Sequence, residues 1–292
     1  MTEADGMRFL DVEIPSSMAP LDCLAEFPRI ELGHSTLGDE LTARWSAVPG
    51  IEAVSAAFWP SRSLIAKLTE CTDGFILRTA DSSQILARRP GADPVSLTPD
   101  EESRLIRYPW DILRINEEIL SSIRESRIQG TVRENVTLDG IVILGEGSIL
   151  LPGVYIEGVA VIGKNCKLGP NCYLRGCTFV GDNCHAGQAV ELKNSILMHH
   201  VAAGHLSYLG DSVICPDVNF GGGTIASNFR HDGKNHRSMV DGVLIDTGRR
   251  KFGTVIGSGV HTGIHTSIYP GRKLWAGVST LPGQVVQRDL RA

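Results

Sequence analysis

A six-residue period in the second half of the chain limits the possible folds more than any other feature. Large apolar residues recur without a slip at Val132, Leu138, Leu144, Leu150, Ile156, Ile162, Leu168, Leu174, Val180 and Ala186. Four positions after each stands a small or β-branched residue: Val136, Val142, Ser148, Val154, Ala160, Cys166, Cys172, Thr178, Cys184 and Val190. So long a run of matches at two positions indicates a repeating structure rather than chance.

The repeat predicts a parallel β-helix with triangular coils. Each hexapeptide forms one flat face with its aliphatic residue pointing inward, and three hexapeptides close a coil of about 18 residues. Backbone groups then pair with the coils above and below, about 4.8 Å away. Glycine after the aliphatic residue, as at Gly145 and Gly163, permits the backbone angles of a corner.

The repeat is interrupted twice. It shifts between Leu192 and Gly204 and resumes two residues out of phase at Tyr208, Ile214 and Phe220. An insertion at 227–253 interrupts it again before it returns at Ile256, Thr262, Ile268, Leu274, Thr280 and Val286. Coil residues are constrained by packing, whereas loops extruded from a solenoid carry function far more often. We therefore expect the functional residues at these two interruptions.

The rest of the chain predicts two further parts before the β-helix of residues 128–292. Residues 1–106 show no repeat and mix short apolar runs with helix-like stretches, which indicates a small α/β domain. Residues 107–127 predict a linker helix, capped by Asp111, with an apolar stripe at Ile112, Ile115, Ile119, Leu120 and Ile123. We expect this helix to cover the open end of the first coil, because an uncovered coil end is an exposed sheet edge.

Composition disfavours several classes of protein. A net charge of -5 over 292 residues gives no basic field for nucleic acid. No stretch approaches the roughly 20 apolar residues of a membrane span, and the acidic N-terminus lacks the apolar run of a secretory signal. Seven cysteines without a CxxC pair are typical of a reduced chain. We expect a cytoplasmic protein with neither a nucleic-acid nor a membrane partner.

Two cations mark a candidate anion site. Arg175 and Lys193 are separated by three hexapeptides, and each follows an inward aliphatic residue. If the coils stack without a slip, both side chains point outward from the same face, one coil apart. Two cations at that separation repel each other unless an anion neutralises them, and a phosphate fits. A solvated pair of surface cations is the alternative.

The first interruption carries a candidate general base. His205 lies there, Tyr208 follows it, and Asn219 precedes the glycines at 221–223. A histidine exchanges its proton near neutrality and can accept one from an amine that attacks a thioester. The glycines let a ligand lie directly on the backbone. From the chemistry alone, a structural or surface histidine remains the alternative.

Five segments resemble a known family: VELKNS, AGHLSYLGD, DVNFGGGT, NFRHDGKN and GRRKFG. They are similar to the acetyltransferase domain of the bacterial bifunctional enzymes that make UDP-N-acetylglucosamine. They resemble the archaeal bifunctional sugar-1-phosphate nucleotidyltransferase/acetyltransferases more closely, over roughly residues 108–288. The resemblance implies a left-handed parallel β-helix, a homotrimer, and acetyl transfer from acetyl-CoA to an amino-sugar 1-phosphate of the glucosamine 1-phosphate type.

The resemblance also implies a role for each candidate residue. His205 corresponds to the histidine that deprotonates the sugar amine, and Asn219 falls at a position tied to the sugar or the acyl donor. The cations that hold the sugar phosphate correspond to Arg175, Lys193 and Lys234. Two further residues of the sugar site correspond to Tyr208 and Asn228. Acetyl-CoA is expected in a groove between subunits, near Gly222, Ile264 and Ala276. No metal is implied.

The chain departs from this family at three places. Phe229 stands where the bacterial enzymes have tyrosine, and Ile264 replaces a serine near the coenzyme. Residues 1–106 contain no glycine-rich loop with a following arginine to cradle nucleotide phosphates, and the region is less than half the expected size. We therefore expect residues 1–106 to be a shortened relative of the nucleotidyltransferase domain without a working nucleotidyltransferase site.

Two other functions are weighed against acetyl transfer. One is a non-catalytic trimeric scaffold that binds a sugar phosphate. The other is a metal hydratase like the γ-class carbonic anhydrases, because His200 and His205 are spaced like two ligands of that class. The third ligand belongs two coils before His200, where this chain has Lys164, and His185 is the nearest candidate.

Overall fold

The computed structural model describes residues 7–291 and divides the chain into two compact units. The first unit comprises the described residues up to Ile14, together with Ala25–Ile30 and Ser35–Arg107. The second unit comprises Pro15–Leu24, Glu31–His34 and the chain from Tyr108 onward. Within the described part of the chain, none of the helices has the length and apolar content that crossing a membrane requires.

The first unit is a small α/β structure on a five-stranded sheet of order β1-β4-β7-β6-β8. Strand β7 runs antiparallel to β4 and β6, while β1 and β8 add parallel strands at the edges. The strands before residue 107 are β1 (Arg8–Leu10), β2 (Glu31–Leu32), β3 (Ser35–Thr36), β4 (Ala53–Ser55), β5 (Phe58–Trp59), β6 (Phe75–Arg78), β7 (Ile85–Arg89), β8 (Val95–Leu97) and β9 (Arg104–Leu105). Of these, β2 belongs to the second unit.

Two helices of the first unit begin at side-chain caps. Helix α1 (Leu37–Trp45) starts after Thr36, whose hydroxyl accepts from the Asp39 N–H, and α2 (Arg62–Glu70) starts after Ser61 in the same way. Such caps satisfy backbone donors that the first turn leaves free. The short 3-10 helix Phe27–Arg29 also belongs to the first unit, whereas those at Ser16–Met18 and Leu21–Leu24 belong to the second.

The second unit contains helix α3 (Pro109–Leu120) and a parallel β-helix, as the repeat predicts. Its first strands are β10 (Arg127–Ile128), β11 (Thr131–Val132), β12 (Thr137–Leu144), β13 (Ile149–Leu150), β14 (Tyr155–Ile162), β15 (Lys167–Leu168), β16 (Tyr173–Arg175), β17 (Cys177–Val180), β18 (His185–Gln188), β19 (Glu191–Lys193) and β20 (Ile196–Leu197). The remaining strands are β21 (Ala202–His205), β22 (Tyr208–Gly210), β23 (Val213–Ile214), β24 (Asn219–Phe220), β25 (Ile225–Ala226), β26 (Arg237–Val240), β27 (Val243–Asp246), β28 (Thr254–Ile256), β29 (Ser267–Ile268), β30 (Arg272–Leu274) and β31 (Val285–Val286).

The β-helix has three faces. Face A contains β16, β19, β22 and β25; face B contains β17, β20, β23 and β28; face C contains β15, β18, β21 and β24. The long strands β12 and β14 turn the corner from face A to face B, so these two faces form one 14-stranded sheet and face C forms a six-stranded sheet.

The predicted inward aliphatic residues form the core of the early coils. Leu150, Ile156 and Leu174 are fully buried, and Ile156 pairs in register with Leu174, one coil later. Val132 and Leu138 are exposed to 38% and 37%, because they lie in the first coil and stack on one neighbouring coil instead of two. The repeat therefore predicts the core wherever a coil has neighbours on both sides.

The first interruption is not an extruded loop. Successive coils here are one residue shorter than the early ones, as in the register pairs Val180–Leu197, Leu192–Leu209 and Leu197–Ile214. The prediction that Tyr208 continues the inward column is wrong, because Leu209 is fully buried and Tyr208 is half-buried beside Glu191. One missing residue per coil moves the phase while the coils continue to stack.

The second interruption does leave the β-helix, as the sequence predicts. Ile214 pairs directly with Ile256, and the chain between them includes an arm at residues 227–253. The arm contains the antiparallel hairpin of β26 and β27, and the Phe252 N–H donates to the Asn228 carbonyl at 3.0 Å to close its base. The inward residues after the arm are buried as predicted: Ile256, Thr262, Ile268, Leu274, Thr280 and Val286.

Helix α3 does not cover the open end of the first coil, and that prediction is wrong. It packs against β14, β17 and β23, and Asn116 Nδ2 donates to the Cys177 carbonyl at 3.2 Å. The physical reason is that the outer side of face B is itself apolar and buried, at Val161, Phe179, Ile196, Val213 and Val255. Asp111 caps the helix from within its first turn, where its carboxylate accepts from the Tyr108 N–H.

Candidate functional site

The two cations that the repeat places on one face lie side by side on face A. Arg175 and Lys193 are register partners in β16 and β19, and the next coil places Gly210 beside Lys193. The Arg175 side chain is 35% exposed, and that of Lys193 is 13% exposed. Face A therefore presents two positive groups one coil apart.

Each of these cations already has a carboxylate partner from the protein. Arg175 Nη2 lies 2.7 Å from Glu191 Oε1, and Lys193 Nζ lies 2.7 Å from Asp211 Oδ2. The expectation that only an external anion can neutralise the two cations is therefore wrong, because Glu191 and Asp211 already do so. A guanidinium has five N–H donors and an ammonium three, so both groups keep donors for a ligand. Binding of an anion here depends on hydrogen-bond geometry more than on net charge.

Asp211 is the centre of a buried polar network that sequence analysis missed. The residue is 3% exposed, and its carboxylate accepts from Lys193, from Asn194 Nδ2 at 3.0 Å and from Asn228 Nδ2 at 2.5 Å. Arg249 Nη2 lies 3.8 Å away. A buried charge of this kind is stable only when several donors surround it. No sequence signal marks it, because its donors come from positions on neighbouring coils and from the arm.

The same network fixes the base of the arm to helix α3. Arg249 pairs with both oxygens of Glu117, at 2.5 Å and 3.2 Å. Asn194 Nδ2 donates to Glu117 as well, at 2.7 Å. The paired geometry of a guanidinium and a carboxylate restrains both side chains. The outer edge of face A is therefore held by the helix, the arm and two coils together.

Tyr208 and Asn228 meet above Gly210. A methyl group at Gly210 would collide with the Tyr208 hydroxyl and lie 2.6 Å from Asn228 Nδ2, so the glycine makes room for both. Burial raises the pKa of Tyr208, and the carboxylates of Glu191 and Asp211 add to the effect. The phenol therefore stays protonated and can donate a hydrogen bond. The structure brings Arg175, Lys193, Tyr208 and Asn228 together on one face.

His205 ends strand β21 at the corner where face C turns into face A. Its side chain is exposed, and no side chain among residues 7–291 hydrogen-bonds to the imidazole. Its carbonyl accepts from Ser207 Oγ and from the Gly223 N–H on the next coil. Gly222 lies directly below, since a methyl group there would stand 3.5 Å from the His205 Cβ. The missing side chain leaves open space beside the imidazole.

One backbone donor of this glycine segment has no partner among the described residues. The Gly221 N–H donates to Thr262, and the Gly223 N–H donates to the His205 carbonyl. The Gly222 N–H has no hydrogen-bond partner within the described residues 7–291. A free amide beside an exposed imidazole is an arrangement that can stabilise a developing oxyanion.

Two predicted sugar-site residues lie apart from this group in a single chain. Lys234 is exposed on the arm, where its N–H donates to Asp232 at 3.2 Å. Asn219 is exposed on face C, in register with Ala202 and His261. Neither side chain is part of the Asp211 network.

The three residues predicted for the coenzyme fall into two places. Gly222 and Ile264 follow each other along one corner, where the His265 N–H donates to the Gly222 carbonyl at 2.8 Å. Ala276 is exposed at a different corner, after β30, where the Gly277 N–H donates to the Ser258 carbonyl. One chain therefore brings together two of these three residues, and their role in binding the coenzyme stays a prediction.

A cavity of about 490 Å³ lies beside face A, one coil beyond Gly210. It is lined by the arm at residues 229–232 and by Ser227, Tyr269 and Pro270. Phe229, which is 45% exposed, presents its ring to this space, while Arg230 and Asp232 form an ion pair at its rim. The departure from tyrosine at Phe229 therefore lies next to an open cavity of ligand size.

The hydratase alternative lacks a ligand set in the described structure. His200 Nδ1 lies 3.3 Å from Asp217, and His185 pairs in register with Ala202 rather than with His205. Residues 7–291 contain no group of three or more histidine, cysteine, aspartate or glutamate side chains placed to hold a metal ion. Burial lowers the pKa of His185, and the nearby Lys167 and His205 add to that shift.

Comparison with protein families shows that residues 141–176 match the bacterial transferase hexapeptide repeat. Among curated proteins, the chain is 44% identical over 185 residues to a bifunctional sugar-1-phosphate nucleotidylyltransferase/acetyltransferase of Sulfurisphaera tokodaii, which covers 63% of this chain and 46% of that protein. The chain thus spans about half the length of that relative.

A second relative matches nearly the whole chain. The bifunctional protein GlmU of Methanococcus vannielii is 37% identical over 304 residues, covering 99% of this chain and 70% of the relative. Among solved structures, the acetyltransferase domain of PglB from Neisseria gonorrhoeae, in complex with acetyl coenzyme A, matches 97% of this chain and 96% of that one, with 12% identity and a TM-score of 0.21.

Proposed function

The chain belongs to the family of bifunctional GlmU proteins, and on that premise we propose that it transfers an acetyl group from acetyl-CoA to the amine of an amino-sugar 1-phosphate. The observation that carries the proposal is the arrangement on face A. Two cations, a protonated phenol and a carboxamide stand together there, and an exposed imidazole lies at the adjoining corner. Phosphate, hydroxyl and amine are the groups that such a set can recognise.

Substrate recognition rests on side chains that the protein holds in place. Arg175 and Lys193 are fixed by Glu191 and Asp211, and they direct their remaining donors at the phosphate. Lys234 lies apart from this pair in a single chain, and it contacts the phosphate only in the assembled protein. Fixed donors lose little entropy when the ligand binds, so the two carboxylates favour binding although they reduce the net charge.

Further contacts hold the sugar ring. Tyr208 and Asn228 contact its hydroxyl groups on face A, and Asn219 contacts the sugar or the acyl donor from face C. The amine then faces His205. In a single chain, face A does not enclose the substrate on all sides. These contacts therefore require the assembled protein.

The chemistry is a direct acyl transfer. The substrate nitrogen attacks the thioester carbonyl, the C–N bond forms, and His205 accepts the amine proton. The Gly222 N–H donates to the oxyanion of the tetrahedral intermediate. The C–S bond then breaks, and the coenzyme leaves as a thiol after it receives the proton from His205. No covalent enzyme intermediate is needed.

In this proposal the coenzyme binds in a groove between two subunits. Gly222 and Ile264 lie on one corner and Ala276 on another, so a single groove that contains all three requires a second copy of the chain. The corner itself is apolar on its outside, with exposed residues at Leu206, Ile225, Ile264, Leu281 and Val285. An apolar line of this kind favours association, and three copies of a triangular β-helix close a ring.

The first unit performs no nucleotidyl transfer in this proposal. Residues 1–106 have no glycine-rich loop with a following arginine, which nucleotide phosphates need for their backbone contacts. Incubating the protein with a sugar 1-phosphate and each nucleoside triphosphate, with detection of released pyrophosphate, tests this part. Pyrophosphate release above background would contradict it.

The acetyl transfer is tested by following thiol release from acetyl-CoA with a panel of amino-sugar 1-phosphates. We expect turnover with at least one member and none with the matching N-acetylated sugar 1-phosphate or with the unphosphorylated amino sugar. Absence of thiol release across the panel, together with calorimetric binding of a sugar phosphate, would instead support the non-catalytic scaffold. Absence of both would contradict the assignment of face A.

A further inference from the structure

A pair of thiols lies on the second unit, apart from face A. Cys23 is exposed in the 3-10 helix Leu21–Leu24, and its Sγ lies 3.3 Å from Ser258 Oγ. The Ser258 N–H also donates to this sulfur, at 3.4 Å. Cys215 is fully buried on the β-helix, and its N–H donates to the carbonyl of Ile256, two residues before Ser258, so Cys215 lies close to Cys23. The exposed sulfur thus accepts from one backbone N–H and contacts one hydroxyl group.

We propose that Cys23 is a reactive thiol that hydroperoxides oxidise and that Cys215 resolves it as a disulfide. The arrangement has the parts of a two-cysteine redox site: an accessible sulfur, a backbone N–H that stabilises its anion, and a second thiol close by on the β-helix. The disulfide would covalently join the segment Pro15–Leu24 to the β-helix. Both belong to the second unit.

Hydrogen bonding from Cys215, together with Ser258, lowers the pKa of Cys23 to about 6, although partial burial opposes the shift. Among the other thiols, the pKa of Cys166 is also lowered, because Cys184 and Ser148 hydrogen-bond to it, but Cys166 and Cys184 are both buried. Burial raises the pKa of Cys172 to about 12 and raises the pKa of Cys177 and Cys215 as well. At neutral pH Cys23 is therefore the exposed thiol with the most thiolate, and the thiolate is the nucleophile in oxidation.

The reaction balances with a hydroperoxide as the oxidant. The Cys23 thiolate attacks the peroxide oxygen, the S–O bond forms, the O–O bond breaks, and the leaving alkoxide or hydroxide takes up a proton. The Cys215 sulfur then attacks the Cys23 sulfenic acid. The S–S bond forms, the S–O bond breaks, and the Cys215 proton leaves with the hydroxyl group as water.

The test compares the wild-type protein with Cys215→Ala and Cys23→Ser after treatment with hydrogen peroxide, using peptide mass spectrometry. In the wild type we expect a peptide that joins Cys23 to Cys215. In Cys215→Ala we expect Cys23 sulfenic acid, trapped by dimedone. Cys71 and Cys177, both partly exposed, are the internal control and stay reduced at the same peroxide dose.

A second readout does not depend on oxidation. The rate of Cys23 alkylation by iodoacetamide is expected to rise with pH through a midpoint near 6, and the midpoint moves upward in Cys215→Ala because the hydrogen bond is lost. A midpoint near the ordinary thiol value of about 8.5 in the wild type would overturn the proposal. Oxidation of Cys71 or Cys177 ahead of Cys23 would overturn it as well.

Discussion

The carboxylate of Asp211 connects the residues of face A to the rest of the molecule. It accepts from Lys193 of one coil and from Asn228 at the start of the arm, and it lies beside Arg249 at the end of the arm. Removing one partner of a buried ion pair leaves the other charge uncompensated. Lys193 therefore depends on Asp211 both for its position and for its stability in a nearly buried place.

We predict that Asp211→Asn weakens the site and the fold together. The amide keeps the shape but removes the charge opposite Lys193 and turns one acceptor into a donor, so the free energy of unfolding falls by about 3 kcal/mol. The KM for the sugar phosphate rises more than kcat falls, because Lys193 loses its fixed position. Urea denaturation and steady-state kinetics measure both effects.

The matched control is Asp217→Asn, since Asp217 is 61% exposed in its ion pair with His200. This change is expected to alter the free energy of unfolding by less than about 0.5 kcal/mol. Equal stability of Asp211→Asn and the wild type would show that the network does not hold the carboxylate as described.

Among the elements, strand β22 shows what the repeat can and cannot predict. The six-residue period correctly predicts the early coils, because a column of inward residues is a local pattern. It cannot predict which residue points inward once the coils become one residue shorter, because two neighbouring large residues can then fill the core position. Only stacking against the previous coil distinguishes Leu209 from Tyr208 as the inward residue, and that contact is non-local.

The strand phase makes a prediction about stability. Leu209→Ala should lower the free energy of unfolding by about 2–5 kcal/mol, because the change leaves a cavity in a filled core. Tyr208→Phe should lower it by less than about 1 kcal/mol while reducing acetyl transfer, because only an outward hydroxyl is lost. Chemical denaturation of both variants checks this. If Tyr208→Phe were the more destabilising change, Tyr208 rather than Leu209 would be the inward residue.

The candidate site was predictable only in part, for a related reason. The register that aligns Arg175 with Lys193 follows from a spacing of one coil, so the sequence predicts it. The partner Glu191 lies two residues before Lys193 on β19, and Asp211 follows Gly210, the register partner of Lys193 in a shortened coil. The hexapeptide period does not indicate either contact. The position of α3 did leave a signal, since face B strands such as β17 and β28 are apolar on both sides.

At the scale of the whole molecule, the proposed function requires association. The exposed apolar line at the corner between faces C and A ends near Leu281, which is 74% exposed. We predict a trimer of three times the 31.5 kDa chain mass by light scattering after size exclusion. Leu281→Glu should dissociate it at micromolar concentration, because a charge buried in an apolar contact is costly.

The control for this prediction is Ile128→Glu, a change at an exposed aliphatic residue of the first coil. It is expected to leave the trimer intact, because Ile128 lies outside the apolar line. A monomeric wild-type protein that still transfers acetyl groups would contradict the shared coenzyme groove.

The most direct test of the account compares acetyl transfer by His205→Ala and His185→Ala, two histidines on neighbouring coils of face C. His205→Ala is expected to lower kcat by about a hundredfold or more while circular dichroism and the oligomeric state stay unchanged. His185→Ala is expected to keep nearly the full rate. A His205→Ala protein with nearly normal kcat would contradict the role of the corner imidazole as the base.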